Sequence, residues 1–253
     1  MPVPQKLFAS LLLAVLPGAA FAQFTDTFGS INSAWVTDRH DPAGFESVSF
    51  LGDNRLKLTI QPPAESDANQ NTQGRHRTTA ITGLWTVSAQ VFVDAAFNTP
   101  TGTLARSDLW ANSGTPQSGD YAIFGFTNAS PTAPTNLTAS DRSFRFRAWS
   151  GNTGWVDLGV PSGFTFDAWH TITATSTGSA FEFRLDGVLL LTNATPAGNN
   201  LLSVTIQGAN FGGTGYSVYW DNVSATAIPE PTTSALLGAL AVLGFAVHLR
   251  RRR

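Results

Sequence analysis

The feature that most constrains the fold is an alternation of apolar and polar residues that runs from Leu84 to Val93. A period of two residues is typical of a β-strand with one buried face. Shorter segments of the same kind recur along the chain, and Gly, Asn, Pro and Ser interrupt them every ~8–12 residues. Residues 23–227 carry no apolar stripe of helical period. The pattern therefore predicts an all-β body of about twelve short strands.

Two antiparallel sheets packed face to face as a sandwich are the arrangement that such a pattern favours. Residues 45–50 and 55–60 flank a Gly-Asp-Asn sequence, which predicts a β-hairpin. The polar, glycine-bearing stretch 62–79 is predicted to be a surface loop. Because the chain has no cysteine, its stability is expected to come from apolar burial and not from disulfides.

Three local patterns resemble the concanavalin A-like, or laminin-G-like, jelly roll. They are Phe24–Phe28 near the start, Trp169-His170 followed by Asp186-Gly187, and Gly215–Val223 near the end. The resemblance implies that a strand containing Trp-His leads into a hairpin that turns at Asp-Gly. It also implies that the first and last strands of the body lie side by side.

The N-terminus carries an export signal. Residues 1–22 combine Lys6, an apolar run at 7–16 and a small-residue ending, which predicts a secretory signal peptide cleaved between Ala22 and Gln23. The body that follows, residues 23–227, has a suitable length for one β-sandwich domain.

The charge of the body argues against nucleic acid as a partner. Residues 23–227 contain one lysine and nine arginines against 13 aspartates and three glutamates, a net charge of −6. Binding to nucleic acid by counterion release requires a basic surface, so this class of partner is excluded from the predicted function.

The last 26 residues, 228–253, form a segment of three parts. Its motif is Pro229, Glu230 and Pro231, its apolar run is 232–249, and its basic end is Arg250, Arg251, Arg252 and Arg253. The prolines interrupt regular structure, the run is long enough for a transmembrane helix, and the arginines favour the cytoplasmic side. A helix buried in the globular core is the alternative, which the lack of a polar face disfavours.

This ending resembles the PEP-CTERM sorting signal of Gram-negative bacteria that make exopolysaccharide. The resemblance implies processing by an exosortase, a membrane-embedded enzyme. The predicted partners are therefore an exosortase-type enzyme, the inner membrane and exopolysaccharide. The body is predicted to be periplasmic while anchored, and then to reach the cell envelope or the extracellular matrix.

The sequence offers one pattern to test for glycosidase carboxylates, Glu182-x-Arg184-x-Asp186. The glucanases of the resembled fold carry Glu-x-Asp-x-Glu. An arginine beside two carboxylates favours their charged forms, whereas a general acid must hold a proton, and Asp186-Gly187 is typical of a hairpin turn. An ion-pair ladder is therefore predicted. The sequence has no Gly-x-Ser-x-Gly motif for a nucleophilic serine, and His170 is interpreted as a packed strand residue and not as a base. No catalytic residue is therefore assigned.

Residues 144–149 alternate Phe or Ala with Arg or Trp. The polar face would place two guanidinium groups beside an indole, an arrangement suited to an acidic polysaccharide. The alternative is the ordinary wet side of an antiparallel sheet. Trp110 and Trp155, near Gly- and Ser-rich loops, are predicted to be exposed, whereas Trp85, Trp169 and Trp220, within apolar strands, are predicted to belong to the core. The candidate glycan-binding residues are Arg145, Arg147, Trp149, Trp110 and Trp155.

No cofactor is predicted except a structural Ca²⁺, for which Asp26 and Asp221 are candidates if the terminal strands pair. Ordinary surface aspartates are the alternative interpretation of these two residues.

The function expected from the sequence is that of an exported, non-enzymatic β-sandwich that acts in the envelope or matrix as a non-catalytic, glycan-binding module. One alternative is a carbohydrate-active enzyme, a glycoside hydrolase or lyase, with acids drawn from Asp108, Asp120 and Asp157. A purely structural surface protein is the other alternative.

Overall fold

β-Strands account for nearly all regular structure in the part of the chain that the computed structural model describes, residues 22–62, 72–98, 102–113, 121–129, 143–150, 154–194 and 200–228. The strands are β1 (Ala22–Asp26), β2 (Trp35–Thr37), β3 (Gly44–Phe50), β4 (Asp53–Ile60), β5 (Thr72–Thr82), β6 (Trp85–Val93), β7 (Ala105–Ser113), β8 (Tyr121–Thr127), β9 (Arg145–Ser150), β10 (Gly154–Gly159), β11 (Ala168–Ser176), β12 (Phe181–Leu185), β13 (Val188–Asn193), β14 (Asn200–Asn210) and β15 (Tyr216–Ala227). A 3₁₀ turn at Ala95–Asn98 is the only helical segment in these ranges.

The strands form two antiparallel sheets. The first sheet has the order β13-β12-β11-β6-β15-β4-β3, with β1 paired to β15, and the second has the order β10-β9-β8-β7-β14-β5-β2. The predicted two-sheet antiparallel sandwich is confirmed. Asp26 in β1 lies opposite Val223 in β15, so the first and last strands are neighbours, as expected.

The apolar faces of the two sheets pack against each other to form the core. Phe124 of β8, in the second sheet, contacts Phe183 of β12, in the first sheet, edge to face with ring centres 5.9 Å apart. Trp85 and Trp220 are fully buried, as predicted. Burial of such side chains contributes about 1.5–3 kcal/mol each, and this explains how a sandwich without cysteine is stabilised. Trp169, also predicted to be core, is half-buried.

The two predicted hairpins are present. β3 and β4 pair from Gly44 opposite Thr59 to Phe50 opposite Asp53, and β12 and β13 are joined at Asp186-Gly187. Asp186 has φ +49° and Gly187 has φ +79°, backbone angles that suit a short turn and that glycine adopts without strain.

The prediction of a surface loop at 62–79 is wrong for its second half. Residues 72–82 form β5, which pairs with β14 over most of its length. The guanidinium groups of Arg75 and Arg77 lie over the rings of Phe45 and Phe24, at 5.2 and 4.1 Å, so their aliphatic stems cover the edge of the core. Polarity alone does not reveal this strand, because its buried residues include Thr72, Gln73 and Thr79.

The predicted signal peptide and the predicted sorting segment lie outside the described residues, except for Ala22 and Ile228 at their borders. Ala22 begins β1 and lies opposite Thr226. In the chain ranges given above, no helix is both long enough and apolar enough to span a membrane.

The contact between the sheets can be tested by shortening a ring within it. Phe183→Ala should lower the free energy of unfolding by about 3–5 kcal/mol, because the vacated volume becomes a cavity. The control is Glu182→Ala on the same strand, whose carboxylate faces outward and pairs with Arg184; this change should cost no more than about 1 kcal/mol. Chemical denaturation measures both, and equal losses would contradict the packing.

Candidate functional site

The outer face of the second sheet, which is the face turned away from the core, collects the charged and aromatic residues singled out in the sequence. In β9, Phe146 and Ala148 belong to the core, so the two-residue period turns the intervening side chains outward. All five candidate glycan-binding residues lie on this outer face, namely Arg145, Arg147, Trp149, Trp110 and Trp155. The structure therefore brings together residues that are distant in sequence. The predicted exposure is wrong for Trp110, which is buried between its strand neighbours, and Trp155 is only partly exposed.

The register of the strands arranges these side chains in rows across the outer face. The charged row consists of Asp157, Arg147, Gly125, Asp108, Gln207 and Gly74. The neighbouring aromatic row consists of Trp155, Trp149, Ile123, Trp110, Thr205 and His76. Consecutive members of a row lie opposite each other on adjacent strands, about 4.8 Å apart.

Two glycines of the charged row make room for the side chains beside them. A Cβ atom on Gly125 would lie 2.6 Å from Oδ1 of Asp108, and one on Gly74 would lie 2.5 Å from Cβ of Gln207. Both distances are shorter than van der Waals contact. Asp108 and Gln207 therefore occupy space that exists only because their neighbours lack side chains.

The charged row contains one cation without a direct counter-ion. Nε of Arg106 lies 2.7 Å from Oδ2 of Asp108, and Nε of Arg145 lies 3.2 Å from Oδ2 of Asp157. Arg147, only 2 % exposed, makes no hydrogen bond through Nε or Nη2 within the described part of the chain. The ring of Trp155 covers its guanidinium at 3.5 Å.

Burial lowers the pKa of Arg147 from the ordinary value of an arginine to about 9. Asp108 and Asp157 oppose this change, and the positive charges of Arg106 and Arg145 add to it. Since the pKa is lower in the folded chain than in the unfolded one, the charged form costs stability. The cost is full below pH 9 and is relieved as the pH rises above about 9 towards the ordinary pKa of an arginine.

A pocket of about 210 Å³ opens on the outer face beside the aromatic row. Its lining residues are Asp38, Arg39, His76, Trp110, Asn112, Ser113, Tyr121, Leu202, Ser203 and Thr205. This volume is below the ~300–1,000 Å³ typical of sites for drug-sized ligands. The pocket therefore suits a single sugar ring of a chain.

Arg39 is held in the pocket by three neighbours. Its Nη1 atom donates to Oε1 of Gln207 at 3.2 Å and lies 3.3 Å from Oδ2 of Asp38. Its guanidinium also lies 4.6 Å from the ring centre of Trp110. A cation restrained in this way needs little reorganisation to bind an anion.

The amide of Asn112 is oriented by hydrogen bonds, whereas Nδ1 of His76 has no hydrogen-bond partner among the described residues and only approaches a carboxylate. Nδ1 of His76 lies 3.7 Å from Oδ1 of Asp38. The amide of Asn112 donates to Oγ of Ser203 at 2.6 Å and to Oγ1 of Thr205 at 3.0 Å. Because both contacts use its amide nitrogen, Asn112 can offer its oxygen as an acceptor.

Two of the described carboxylates of the outer face, Asp108 and Asp157, are too far apart to form a glycosidase pair. Asp108 on β7 and Asp157 on β10 are separated by three strand spacings, or about 14 Å. Glycosidase carboxylates lie ~5–9.5 Å apart. The third sequence candidate, Asp120, lies outside the described residues.

The pattern at Glu182, Arg184 and Asp186 lies on the first sheet and not on the outer face of the second. Nη2 of Arg184 donates to Oε2 of Glu182 at 2.8 Å, so the predicted ion pair is confirmed. His170 is buried, with Nδ1 2.8 Å from Oδ2 of Asp186 and Nε2 2.7 Å from the carbonyl oxygen of Thr165. This confirms the interpretation of His170 as a packed strand residue.

The two calcium candidates already have protein partners. Asp26 accepts from Nε1 of Trp35 at 2.8 Å and from Nη1 of Arg77 at 3.3 Å. Asp221 is fully buried and paired with Arg55, and burial raises its pKa. In the described ranges no three or more His, Cys, Asp or Glu residues come together as a metal site.

Sequence reasoning missed four residues of the pocket, Arg39, His76, Asn112 and Tyr121. Arg39 lies between short strands, and His76 lies in a strand that was interpreted as a loop. A signal was available in β7, where Arg106, Asp108, Trp110 and Asn112 follow the two-residue period and share one face.

Comparison with known proteins identifies the fold. Neither a protein-family model nor a curated protein matches the sequence. A Bacteroides ovatus mixed-linkage glucan protein of glycoside hydrolase family 16 shares 13% identity and a TM-score of 0.56, over 80% of this chain and 99% of that one. A family 16 endo-glucanase from the same organism shares 12% identity and a TM-score of 0.54, over 80% of this chain and 99% of that one. The cellulose induced protein Cip1 shares 15% identity and a TM-score of 0.54, over 81% of this chain and 97% of that one.

These likenesses confirm the concanavalin A-like jelly roll. They also contradict the prediction of a non-catalytic module and the prediction that the body is not an enzyme. Family 16 hydrolases share the fold over four fifths of the chain.

The role of Gly125 provides a test of the geometry of the charged row. Gly125→Ala should destabilise the protein by about 1–3 kcal/mol, because the new methyl group would collide with the carbonyl oxygen of Ser107 and with Asp108. The matched control is Gly29→Ala, where a Cβ has no atom within 4 Å. Denaturant unfolding compares the two variants. A Gly125→Ala variant no less stable than the control would contradict the close approach of β7 to Gly125.

Proposed function

We propose that the protein is a carbohydrate-active enzyme that cleaves an acidic polysaccharide on the outer face of its second sheet. The reaction we propose is β-elimination beside a uronic acid carboxylate. The observation that carries the proposal is the pocket in which a restrained cation, an imidazole and a phenol meet, contributed by Arg39, His76 and Tyr121. The fold likeness to family 16 hydrolases supports carbohydrate as the substrate class.

These groups suit β-elimination better than they suit glycoside hydrolysis, which uses a pair of carboxylates. A base removes the proton from the sugar carbon next to the carboxylate, C5. The electron pair left behind forms the C4–C5 double bond, the C4–O bond breaks, and the departing oxygen takes a proton from an acid. The products are an unsaturated uronate and a chain with a new end. Because negative charge builds up on the carboxylate, a fixed cation stabilises the transition state.

Each pocket residue has a role in this scheme. Arg39 binds the carboxylate, in an orientation set by Asp38, Gln207 and Trp110. His76 in its neutral form accepts the C5 proton, and the carboxylate of Asp38 lies near its Nδ1 atom.

Sugar binding and proton return fall to the other side of the pocket. The phenol of Tyr121 supplies a proton to the departing oxygen. Its ring lies 5.6 Å from that of Trp110, and the two rings offer the apolar contact that sugar faces prefer. The amide oxygen of Asn112 is available to accept from a sugar hydroxyl.

The experiment that tests the proposal is incubation of the purified protein with polyglucuronate, polymannuronate, polygalacturonate and neutral β-glucans. We expect ultraviolet absorbance from unsaturated uronate ends with at least one polyuronate and none with the neutral glucans. Reducing ends without this absorbance would replace elimination with hydrolysis. A complete lack of turnover on every polymer would overturn the enzymatic proposal.

Variants of the pocket then assign the roles. His76→Asn should lower kcat on the cleaved polyuronate by roughly 10²–10⁴-fold, because the general base is lost. Arg39→Gln should lower kcat/KM, whereas Arg184→Gln, a matched change on the first sheet, should leave it unaltered. Initial rates of absorbance increase measure all three variants. Full activity in His76→Asn would exclude this residue as the base.

We further propose that the body is exported and handed over by the C-terminal segment at 228–253. The order of Pro229-Glu230-Pro231, apolar run and terminal arginines supports this route, with an exosortase-type enzyme and the inner membrane as partners. Cell fractionation should find the body in the envelope or medium. Full-length chain with both ends intact in the cytosol would refute the proposed export.

A further inference from the structure

Arg147 stands apart from the other arginines of the outer face. Arg106 donates to Oγ1 of Thr72 and pairs with Asp108, and Arg145 donates to the carbonyl oxygens of Ser143 and Ala129. Nε of Arg106 and Nε of Arg145 also make no hydrogen bond in the described part of the chain, but in Arg147 both Nε and Nη2 lack a hydrogen-bond partner there, and the side chain is only 2% exposed. A buried donor without a partner is costly, so this edge of the guanidinium is suited to a ligand.

The charges around Arg147 favour an anion as that ligand. The two aspartates that face it are each within ion-pair distance of another arginine, at 2.7 Å for Asp108 and 3.2 Å for Asp157. The net charge of this described group is +1, since it contains three arginines and two aspartates, namely Arg106, Arg145, Arg147, Asp108 and Asp157. A planar guanidinium edge with two N–H donors matches the two oxygens of a carboxylate or of a sulfate ester.

The surroundings of Arg147 leave one edge of its guanidinium without a partner. Trp155 covers one face of the guanidinium at 3.5 Å, which leaves the Nε–Nη2 edge as the donor side. Both atoms are shielded from solvent, and Asp108 occupies the room beside Gly125, the adjacent residue on β8, so neighbouring side chains must move for an anion to reach this edge. On the far side of Asp108, Nε2 of Gln207 is a second buried donor that has no hydrogen-bond partner among the described residues.

We propose that Arg147 forms an anion subsite on the outer face, which binds a carboxylate or sulfate group carried by a sugar away from the cleavage point. Arg147 on β9 and His76 on β5 are separated by four strand spacings, or about 19 Å. This separation corresponds to several sugar residues along a chain. This subsite rests on the proposed function. It would select a polymer with acidic groups on more than one sugar.

Direct binding measurements test the subsite without depending on turnover. The probes are polyglucuronate, its carboxyl-reduced neutral form and dextran sulfate, titrated calorimetrically into the full-length protein in the His76→Asn background. Arg147→Met should weaken the binding of polyglucuronate or dextran sulfate by roughly 10–100-fold, as expected for the loss of charge-assisted hydrogen bonds. The affinity of Arg147→Lys should lie between those of the parent and Arg147→Met, because lysine keeps the charge but loses the planar edge. Arg184→Met is the matched control and should bind like the parent.

The stability of the unliganded variant separates a ligand-binding role from a structural one. If the role of Arg147 is to bind a ligand, Arg147→Met should have a Tm equal to or higher than that of the parent. The reason is that an apolar side chain then replaces an unpaired buried charge. A clear fall in Tm would identify Arg147 as a structural cation and overturn the subsite.

The pH dependence of binding adds a second readout. Anion binding should weaken as the pH rises through about 9, where Arg147 loses its charge. The charged groups that face it are Asp108, Asp157, Arg106 and Arg145. Deprotonation of an arginine with an ordinary pKa would have no effect at this pH.

The remaining outcomes distinguish this proposal from the enzymatic one. Binding that depends on Arg147 without cleavage of any polymer would retain the subsite and refute the enzyme. Cleavage with an unchanged KM in Arg147→Met would retain the enzyme and refute the subsite. Equal affinity for polyglucuronate and for its carboxyl-reduced form would also refute the subsite, since a neutral sugar would then satisfy the site. A preference for dextran sulfate over polyglucuronate would support the subsite and identify sulfate as the anion.

Discussion

The packing of two apolar faces against each other is the constraint on which the rest of the structure depends. The chain has no cysteine, so the contact between the sheets, with rings such as Phe124 and Phe183 at its centre, provides the stability that disulfides would otherwise supply. Because the side chains of a strand alternate, each residue committed to this core turns its neighbour outward. The outer face of the second sheet can therefore become strongly polar without weakening the core.

That outer face is built at a cost in stability. Arg147 is buried and its pKa falls to about 9, and the row beside it depends on glycines at positions 74 and 125 to avoid collisions. Tyr216 supports the region from the core side, since its hydroxyl lies 2.6 Å from the carbonyl oxygen of Arg106 and 3.0 Å from that of Ala209. Burial raises the pKa of Tyr216, so the hydroxyl remains a donor. Unfavourable polar groups held by a stable frame are typical of sites that bind a ligand.

The two ends of the outer face complement each other chemically. The pocket around Arg39 and His76 offers a restrained cation and an imidazole, whereas the region around Arg147 offers a cation with no hydrogen-bond partner for Nε or Nη2 among the described residues. Both ends favour a polymer with repeated negative charge, although the net charge of the body is negative. Local placement of cations, and not the overall balance, therefore decides which ligand the face can recognise.

The sequence alone determined the strands, the hairpin turns and the outward direction of Arg145 and Arg147, because these follow from a two-residue period and from local turn chemistry. It did not reveal β5, whose buried residues include Thr72, Gln73 and Thr79. Only the tertiary structure decided which residues meet. Asp108 lies beside Gln207, and Trp110 lies in one row with His76, because β14 runs between β7 and β5. Such pairings join residues that are far apart in the chain, and no local pattern specifies them. Burial of Arg147 is likewise a property of the assembled sheet, since the same side chain on an isolated strand would be solvated.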